Sequence, residues 1–113
     1  MTFEEATAEA LSFRDERNWK QFHNPKDLAI SISLEASELL EAFQWSAADL
    51  YPQGKRDLIA EELADIAIYC MYFADAMDVN LADAVHAKIQ LNAKKYPVDK
   101  ARGSAKKYKE LQP

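Results

Sequence analysis

Residues 28–43 form the stretch LAISISLEASELLEAF, whose pattern indicates the fold class most directly. Its apolar stripe recurs at helical spacing, at Leu28, Ile32, Leu39 and Phe43. This spacing predicts a helix with one buried side. The position missing from the stripe holds Glu35, which at 100° per residue lies about 20–60° from Leu28, Ile32 and Leu39. Glu38 lies about 60° to the other side of Glu35. The stretch therefore predicts a helix that carries two carboxylates at the border of its buried face.

A second stretch repeats this pattern in a predicted helix of about 24 residues that ends near Asp78. Its apolar seam consists of Leu58, Ile66, Tyr69 and Phe73. Glu62 occupies the central position of that seam, and Asp65 follows one turn later. Two predicted helices thus each carry a pair of acids three residues apart. Glu41 and Glu61 lie off the seams and are expected to face solvent.

The remaining start and stop signals predict an all-α fold with four helices arranged as a bundle. Helix start signals stand at Thr2 with Glu5, at Asn24 with Pro25 and Asp27, and at Asn80 with Asp83. The first helix is expected to end near Arg17, the second near residue 44 and the fourth before Pro97. Two glycines and four prolines are too few for a β-sandwich or barrel.

Charge is distributed unevenly along the 113 residues, whose net charge is -5. Residues 1–87 hold 17 acids and 6 bases, a net charge of -11, whereas residues 88–113 hold 2 acids and 8 bases, a net charge of +6. The length predicts a single domain, residues 1–113, with a basic tail from about residue 98. Such a basic segment can bind nucleic acid, and it can equally hold the phosphates of a small ligand.

Cysteine usage and hydropathy predict a cytoplasmic protein without a membrane partner. Cys70 is the only cysteine, which excludes an intramolecular disulfide and suits a reducing compartment. The N-terminal segment is acidic and lacks the apolar core of a signal peptide. The longest apolar stretch, residues 66–77, is interrupted by Asp75 and is shorter than the roughly 20 residues of a membrane span.

Self-association is predicted from the third helix, which is apolar around nearly its whole circumference. A helix of this kind is normally buried on all sides. Three or four helices of one short chain can hardly surround it, so we expect a homodimer or a homotetramer.

Four carboxylates bordering buried faces require cations or protons, because an unpaired buried charge is strongly unfavourable. Oxygen ligands suit a hard cation, and Mg²⁺ fits best because it binds carboxylates together with substrate phosphates. Mn²⁺ is a possible substitute. Zinc would normally require histidine or cysteine ligands. Neither His23 nor His86 completes a Glu-x-x-His motif, so a di-iron carboxylate bundle is not expected.

Several ordered motifs resemble the MazG-like nucleotide pyrophosphohydrolases, and most closely their dCTP pyrophosphatase branch. The motifs are Trp19-Lys-Gln-Phe-His23-Asn-Pro25, Leu34-Glu35-Ala-Ser-Glu38-Leu39, Phe43-Gln-Trp45, Glu61-Glu62-Leu-Ala-Asp65-Ile, and the ending with Lys88, Asn92, Lys95-Tyr96-Pro97, Ala101-Arg102-Gly103 and Lys107-Tyr108. The resemblance implies an all-α fold that assembles as dimers or tetramers, with Mg²⁺ bound by Glu35, Glu38, Glu62 and Asp65. It also implies hydrolysis of a nucleoside triphosphate, with dCTP or a modified dCTP as the leading candidate, to the monophosphate and pyrophosphate.

Other residues within the matching motifs are candidates for substrate binding. Lys88, Lys95 and Arg102 are candidates for triphosphate contacts, because fixed cations bind phosphate strongly. Asn92 is a candidate for phosphate or sugar. Trp19 and Trp45 offer flat faces for stacking a base, and His23 and Tyr69 could add contacts to its edge or to the sugar.

Two alternatives stay open at the level of sequence. One is a helical interaction module whose basic tail binds nucleic acid or a protein, which the acids within the apolar seams make less favourable. The other is a related all-α pyrophosphatase that acts on another nucleotide, such as dUTP or an intermediate of the histidine pathway. A pyrophosphatase of the nucleotide pool is not expected to bind nucleic acid.

Overall fold

The computed structural model describes residues 1–111, and every regular element in that range is helical. The elements are α1 (Phe3–Glu16), a 3-10 turn (Lys20–Phe22), α2 (Pro25–Glu41), α3 (Arg56–Ala76), α4 (Leu81–Lys95), α5 (Val98–Ala101) and α6 (Tyr108–Leu111). The prediction of an all-α fold is confirmed.

The predicted N-terminal caps are present at three of the long helices. Thr2 and Glu5 form a reciprocal capping box at the start of α1. Asn24 Oδ1 accepts a hydrogen bond from the Asp27 backbone N–H at 2.9 Å. Asn80 Oδ1 accepts one from the Asp83 backbone N–H at 3.0 Å. Each cap satisfies a backbone donor that has no partner within its helix.

Helices α1, α2 and α3 end one to three residues earlier than the sequence predicts. Asn18 and Asp78, two residues after α1 and α3, adopt positive φ angles of 54° each. A residue in this left-handed region commonly ends a helix. Trp45 has a φ of 69° and closes the turn that follows α2. Positive φ is unusual for such a bulky side chain, and the sequence offers no signal for it.

The chain divides into two compact units, the first spanning Met1–Val79 and the second beginning at Asn80. In the first unit, α3 packs against both α1 and α2. Leu28, Met71 and Tyr72 are buried at these contacts. Lys55 Nζ donates a hydrogen bond to the Ala42 carbonyl at 3.0 Å, which ties together the two ends of the α2–α3 loop. The second unit contains α4, α5 and α6.

Helix α3 is only partly enclosed. Tyr72 and Ala74 are buried, but Leu58 and Leu63 are 45% and 58% exposed. A single chain thus leaves part of this apolar helix uncovered, and self-association stays a prediction.

Within residues 1–111, no helix combines the length and the hydropathy that crossing a membrane requires.

Candidate active site

The packing of α2 against α3 brings the four seam acids together. One carboxylate oxygen from each of Glu35, Glu38, Glu62 and Asp65 lies within 4.8 Å of the others. Glu35 and Glu62 are half-buried, whereas Glu38 and Asp65 are exposed. Glu41 and Glu61 face solvent on the same two helices, as predicted. The acid cluster therefore has a buried side formed by the helix seams and an open side formed by the other two carboxylates.

Two oxygens of the cluster are buried without a hydrogen-bond partner, Oε2 of Glu35 and Oε2 of Glu62. Burial, together with the carboxylates of Glu38, Asp65 and Glu62, raises the pKa of Glu35 to about 6. Burial and Glu38 also raise the pKa of Glu62. Four carboxylates in this space repel one another unless a cation or protons neutralise them.

A mainly apolar cleft of about 520 Å³ lies between α1 and α3, next to the acid cluster. Asp65 belongs to both the cleft and the cluster. Four alanines contribute to the walls, two on each helix: Ala6, Ala10, Ala64 and Ala67. Their small side chains leave space between the two helices that larger residues would fill.

Two of the predicted aromatic residues line this cleft, Trp19 and Tyr69. The Trp19 ring packs edge-on against Phe13, with ring centroids 5.8 Å apart. The Tyr69 ring packs edge-on against Tyr72 at 6.0 Å. The rings lie on different elements, the segment after α1 and helix α3, so the cleft offers aromatic surface from both sides.

Arg14 is a buried cation that sequence reasoning missed. It is 3% exposed, and its guanidinium pairs with Asp75 at 2.7 Å and with Asp15 at 2.9 Å. It also lies 5.9 Å from the centre of the Tyr72 ring. The signal that could have revealed it is an arginine directly after the apolar face of α1, together with an acid inside the apolar run of α3. Such a pair is typical of a buried ion pair.

His23 lies beside Tyr72, with ring centroids 4.9 Å apart, and it is not among the residues that line the cleft. Its Nδ1 is buried without a hydrogen-bond partner. Burial and the nearby Arg14 lower its pKa, so the imidazole is neutral at physiological pH. His23 is therefore a neutral ring packed against Tyr72, and its predicted role in substrate binding stays a prediction.

Trp45 lies apart from the cleft lining. It stands in the turn after α2 and is 90% exposed. Its predicted stacking role stays a prediction.

The four remaining predicted binding residues belong to the second unit. Lys88, Asn92 and Lys95 follow one another at spacings of four and three residues on α4, so they share one face of that helix. Arg102 directly follows α5. Their phosphate and sugar contacts stay predictions.

The family to which this chain belongs follows from its similarity to known proteins. The model of the MazG-like family matches residues 30–111, a range that begins within α2 and contains α3 and all four acids of the cluster. The chain belongs to the MazG-like family. The predicted family resemblance is thereby confirmed.

Curated relatives and a solved structure extend this result. The chain is 38% identical to human dCTP pyrophosphatase 1 and 37% identical to the mouse protein of the same name, over 97% of this chain and 68% of each relative. It is also similar to the crystal structure of a pyrophosphatase from Archaeoglobus fulgidus, with a TM-score of 0.69 and 37% identity over 83% of this chain and 91% of the other. These relatives confirm the prediction of a nucleoside triphosphate pyrophosphatase within the MazG-like family.

Proposed function

We propose that this MazG-like protein is a Mg²⁺-dependent pyrophosphohydrolase that converts dCTP, or a modified dCTP, to the monophosphate and pyrophosphate. Glu35, Glu38, Glu62 and Asp65 bind the metal. The observation that carries the proposal is the pair of buried oxygens, Oε2 of Glu35 and Oε2 of Glu62, that lack hydrogen-bond partners within the acid cluster.

The donor set of the cluster fits Mg²⁺. All four groups are carboxylates, and carboxylate oxygens are the ligands that Mg²⁺ and Mn²⁺ share. The exposed carboxylates of Glu38 and Asp65 leave the open side accessible to phosphate. A divalent cation would also neutralise the repulsion that raises the pKa of Glu35.

Hydrolysis at this site requires that the charge on the phosphates is neutralised and that a water molecule is activated. A divalent cation held by the acid cluster would neutralise the negative charge that develops on the phosphate oxygens. At least one of the four carboxylates orients or deprotonates the attacking water. Hydrolysis of the bond between the α- and β-phosphates then releases the nucleoside monophosphate and pyrophosphate.

The cleft beside the cluster supplies a site for the base. Asp65 belongs to both features, so phosphates bound at the cluster place the rest of the nucleotide at the mouth of the cleft. Trp19 and Tyr69 provide aromatic surface for stacking, an interaction worth about 1–3 kcal/mol per base. The mammalian relatives are named dCTP pyrophosphatase 1, and this name supports dCTP as the substrate.

Residues of the second unit and self-association complete the proposal. Lys88, Lys95 and Arg102 supply cations for the triphosphate, and Asn92 supplies a polar contact to phosphate or sugar. The exposed apolar residues Leu58 and Leu63 on α3 support assembly as a homodimer or homotetramer. The single cysteine supports a reducing compartment, and we place the protein in the cytoplasm.

The test of the proposed activity is a panel of nucleoside triphosphates incubated with Mg²⁺ and scored separately for pyrophosphate and for phosphate. We expect pyrophosphate release with dCTP as a preferred substrate, loss of activity with a chelator, and recovery with Mg²⁺ or Mn²⁺. A preference for dUTP would reassign the base, and absence of pyrophosphate with every nucleotide would overturn the proposal.

Substitutions within the cluster test the metal ligands. Glu38→Gln and Asp65→Asn are expected to abolish pyrophosphate release while the fold is retained. Glu41→Gln and Glu61→Gln remove the same charge from exposed positions on the same two helices, and they are expected to leave activity unchanged. Retained turnover in both cluster variants would show that these acids do not hold the metal.

A further inference from the structure

The cleft contains one charged side chain that the proposed chemistry does not use, that of Glu9 on α1. The cleft lining offers few polar side-chain groups, those of Glu9, Trp19, Asp65, Tyr69 and Tyr72. Asp65 belongs to the acid cluster. The Tyr72 hydroxyl donates to the Ala10 carbonyl at 3.0 Å, so its hydrogen is already engaged. Glu9, an exposed residue, is thus the one carboxylate of this mostly apolar cleft lining that lies outside the acid cluster.

Contacts between α1 and α3 place Glu9 at a distance from the acid cluster along the cleft, and Phe13, one turn later on α1, lines the cleft beyond it. Tyr72 bonds to Ala10, and Arg14 pairs with Asp75, so the two helices run in the same direction where they touch. Asp65 precedes Tyr72 by seven residues, which corresponds to about 10 Å along α3 at 1.5 Å per residue. Glu9 is the neighbour of Ala10 in sequence. The separation leaves room for a sugar and a base between phosphates at Asp65 and the carboxylate of Glu9.

We propose that Glu9 determines base specificity by accepting a hydrogen bond from the exocyclic amino group of the base, an inference that rests on the proposed function. The amino group of cytosine donates hydrogen bonds, whereas uracil and thymine present a carbonyl oxygen at the same ring position. An ionised carboxylate only accepts, so it attracts the amino group and repels the carbonyl oxygen. The cleft therefore selects pyrimidines that carry an amino group at this ring position over those that carry a carbonyl oxygen there.

The matched substrates dCTP and dUTP test this role of Glu9, because they differ in the group that Glu9 would contact. Glu9→Gln keeps the size of the side chain and adds an N–H donor that can bond to the uracil carbonyl. We expect kcat/KM to fall for dCTP and to rise for dUTP. The ratio of the two values is expected to fall about tenfold, the size of effect that one hydrogen bond to a charged group supplies.

A second variant and a matched control distinguish recognition of the base by Glu9 from a general effect on the structure of α1. Glu9→Leu removes the acceptor without adding a donor, so the dCTP preference is expected to fall without a gain in dUTP turnover. Glu4→Gln removes the same charge from an exposed position of α1 that does not line the cleft, and the ratio is expected to stay unchanged. Circular dichroism and the thermal midpoint are measured to establish that each variant is folded.

The outcomes distinguish this inference from the proposed function. If wild-type protein releases pyrophosphate from dCTP and both Glu9 variants keep the wild-type ratio, the role of Glu9 is wrong and the proposed function stands. Equal losses for dCTP and dUTP would also overturn the inference, because Glu9 would then affect all substrates alike. If the wild-type protein hydrolyses neither nucleotide, the proposed function fails first and the inference fails with it.

Discussion

The guanidinium of Arg14 on α1 lies 2.7 Å from the carboxylate of Asp75 on α3, and Arg14 as a whole is 3% exposed. A second contact joins the same two helices nearby, where the Tyr72 hydroxyl donates to the Ala10 carbonyl. Tyr72 and Ala10 also line the cleft. The ion pair and the hydrogen bond therefore hold the two walls of the cleft at a fixed separation.

We predict that Asp75→Ala destabilises the protein by about 2 kcal/mol, because it leaves a buried guanidinium with one carboxylate partner. Asp15→Ala removes the other partner, which is 56% exposed, and we expect a loss of less than about 1 kcal/mol. Urea unfolding of the two variants provides the measurement.

The double variant Arg14→Leu with Asp75→Ala checks the cause of this loss. It removes both charges and fills the site with an apolar side chain, so we expect it to be more stable than Asp75→Ala alone. A double variant with a lower free energy of unfolding than Asp75→Ala alone would contradict the assignment of a buried ion pair.

We predict that Ala67→Leu weakens nucleotide binding by filling the cleft. KM for the preferred nucleotide is expected to rise roughly tenfold, because the base loses room to stack. Steady-state kinetics with saturating Mg²⁺ measure the effect, and the Mg²⁺ requirement is expected to be unchanged. Ala60→Leu adds the same side chain at an exposed position of α3 outside the cleft, and its KM is expected to match that of the wild type.

We predict that Glu35→Gln stabilises the metal-free protein at neutral pH while weakening metal binding. The pKa of Glu35 is raised from 4.5 to about 6, so the folded state holds this proton more tightly than the unfolded state. This tighter proton binding adds to the free energy of unfolding. Its contribution is fully present below pH 4.5 and is lost as the pH rises through about 6. Thermal unfolding in the presence of a chelator is measured at pH 5 and pH 7.5, and the advantage of the variant over the wild type is expected to be larger at pH 7.5.

Addition of Mg²⁺ is expected to reverse the order of stability at pH 7.5, because the wild type gains binding free energy that the variant lacks. Glu41→Gln serves as the matched control, since it lies on α2 outside the cluster. If Glu35→Gln is more stable than the wild type by the same amount at both pH values, repulsion between the carboxylates is excluded as the cause of its higher stability.

We predict that Trp45→Asn relieves backbone strain at this position, and the same variant tests whether Trp45 binds the base. Trp45 has a φ of 69° and is 90% exposed, and asparagine tolerates this conformation better. We expect the thermal stability of the variant to be equal to the wild type or to exceed it by up to about 1 kcal/mol. If Trp45 stacks on the base, KM rises in the same variant. Unchanged kinetics would contradict its predicted binding role, and light scattering is used to monitor the oligomeric state.

Most of the helical frame was predictable from local patterns. The caps at Thr2, Asn24 and Asn80 were visible because a cap involves residues only three positions apart. The interrupted seams of α2 and α3 predicted that Glu35 and Glu62 border a buried face, because helical periodicity determines which residues share a side. Helix ends were less predictable, since Asn18, Trp45 and Asp78 adopt positive φ without a glycine.

The cleft was not predictable from either helix alone. Ala6 and Ala10 look like ordinary helix formers, and so do Ala64 and Ala67; only the packing of α1 beside α3 turns four small side chains into a cavity. The same packing pairs Arg14 with Asp75 across 61 positions of sequence.

The helices, the four carboxylates at their seams and the family could thus be predicted from residue types alone, because these features depend on short, regular spacings. Three further relationships are visible only in the folded protein. The four carboxylates converge within 4.8 Å, Glu35 and Glu62 each hold a buried oxygen without a hydrogen-bond partner, and Glu9 lines the same cleft as Asp65. These relationships depend on the distances and rotations between helices, which arise from side-chain packing between distant segments.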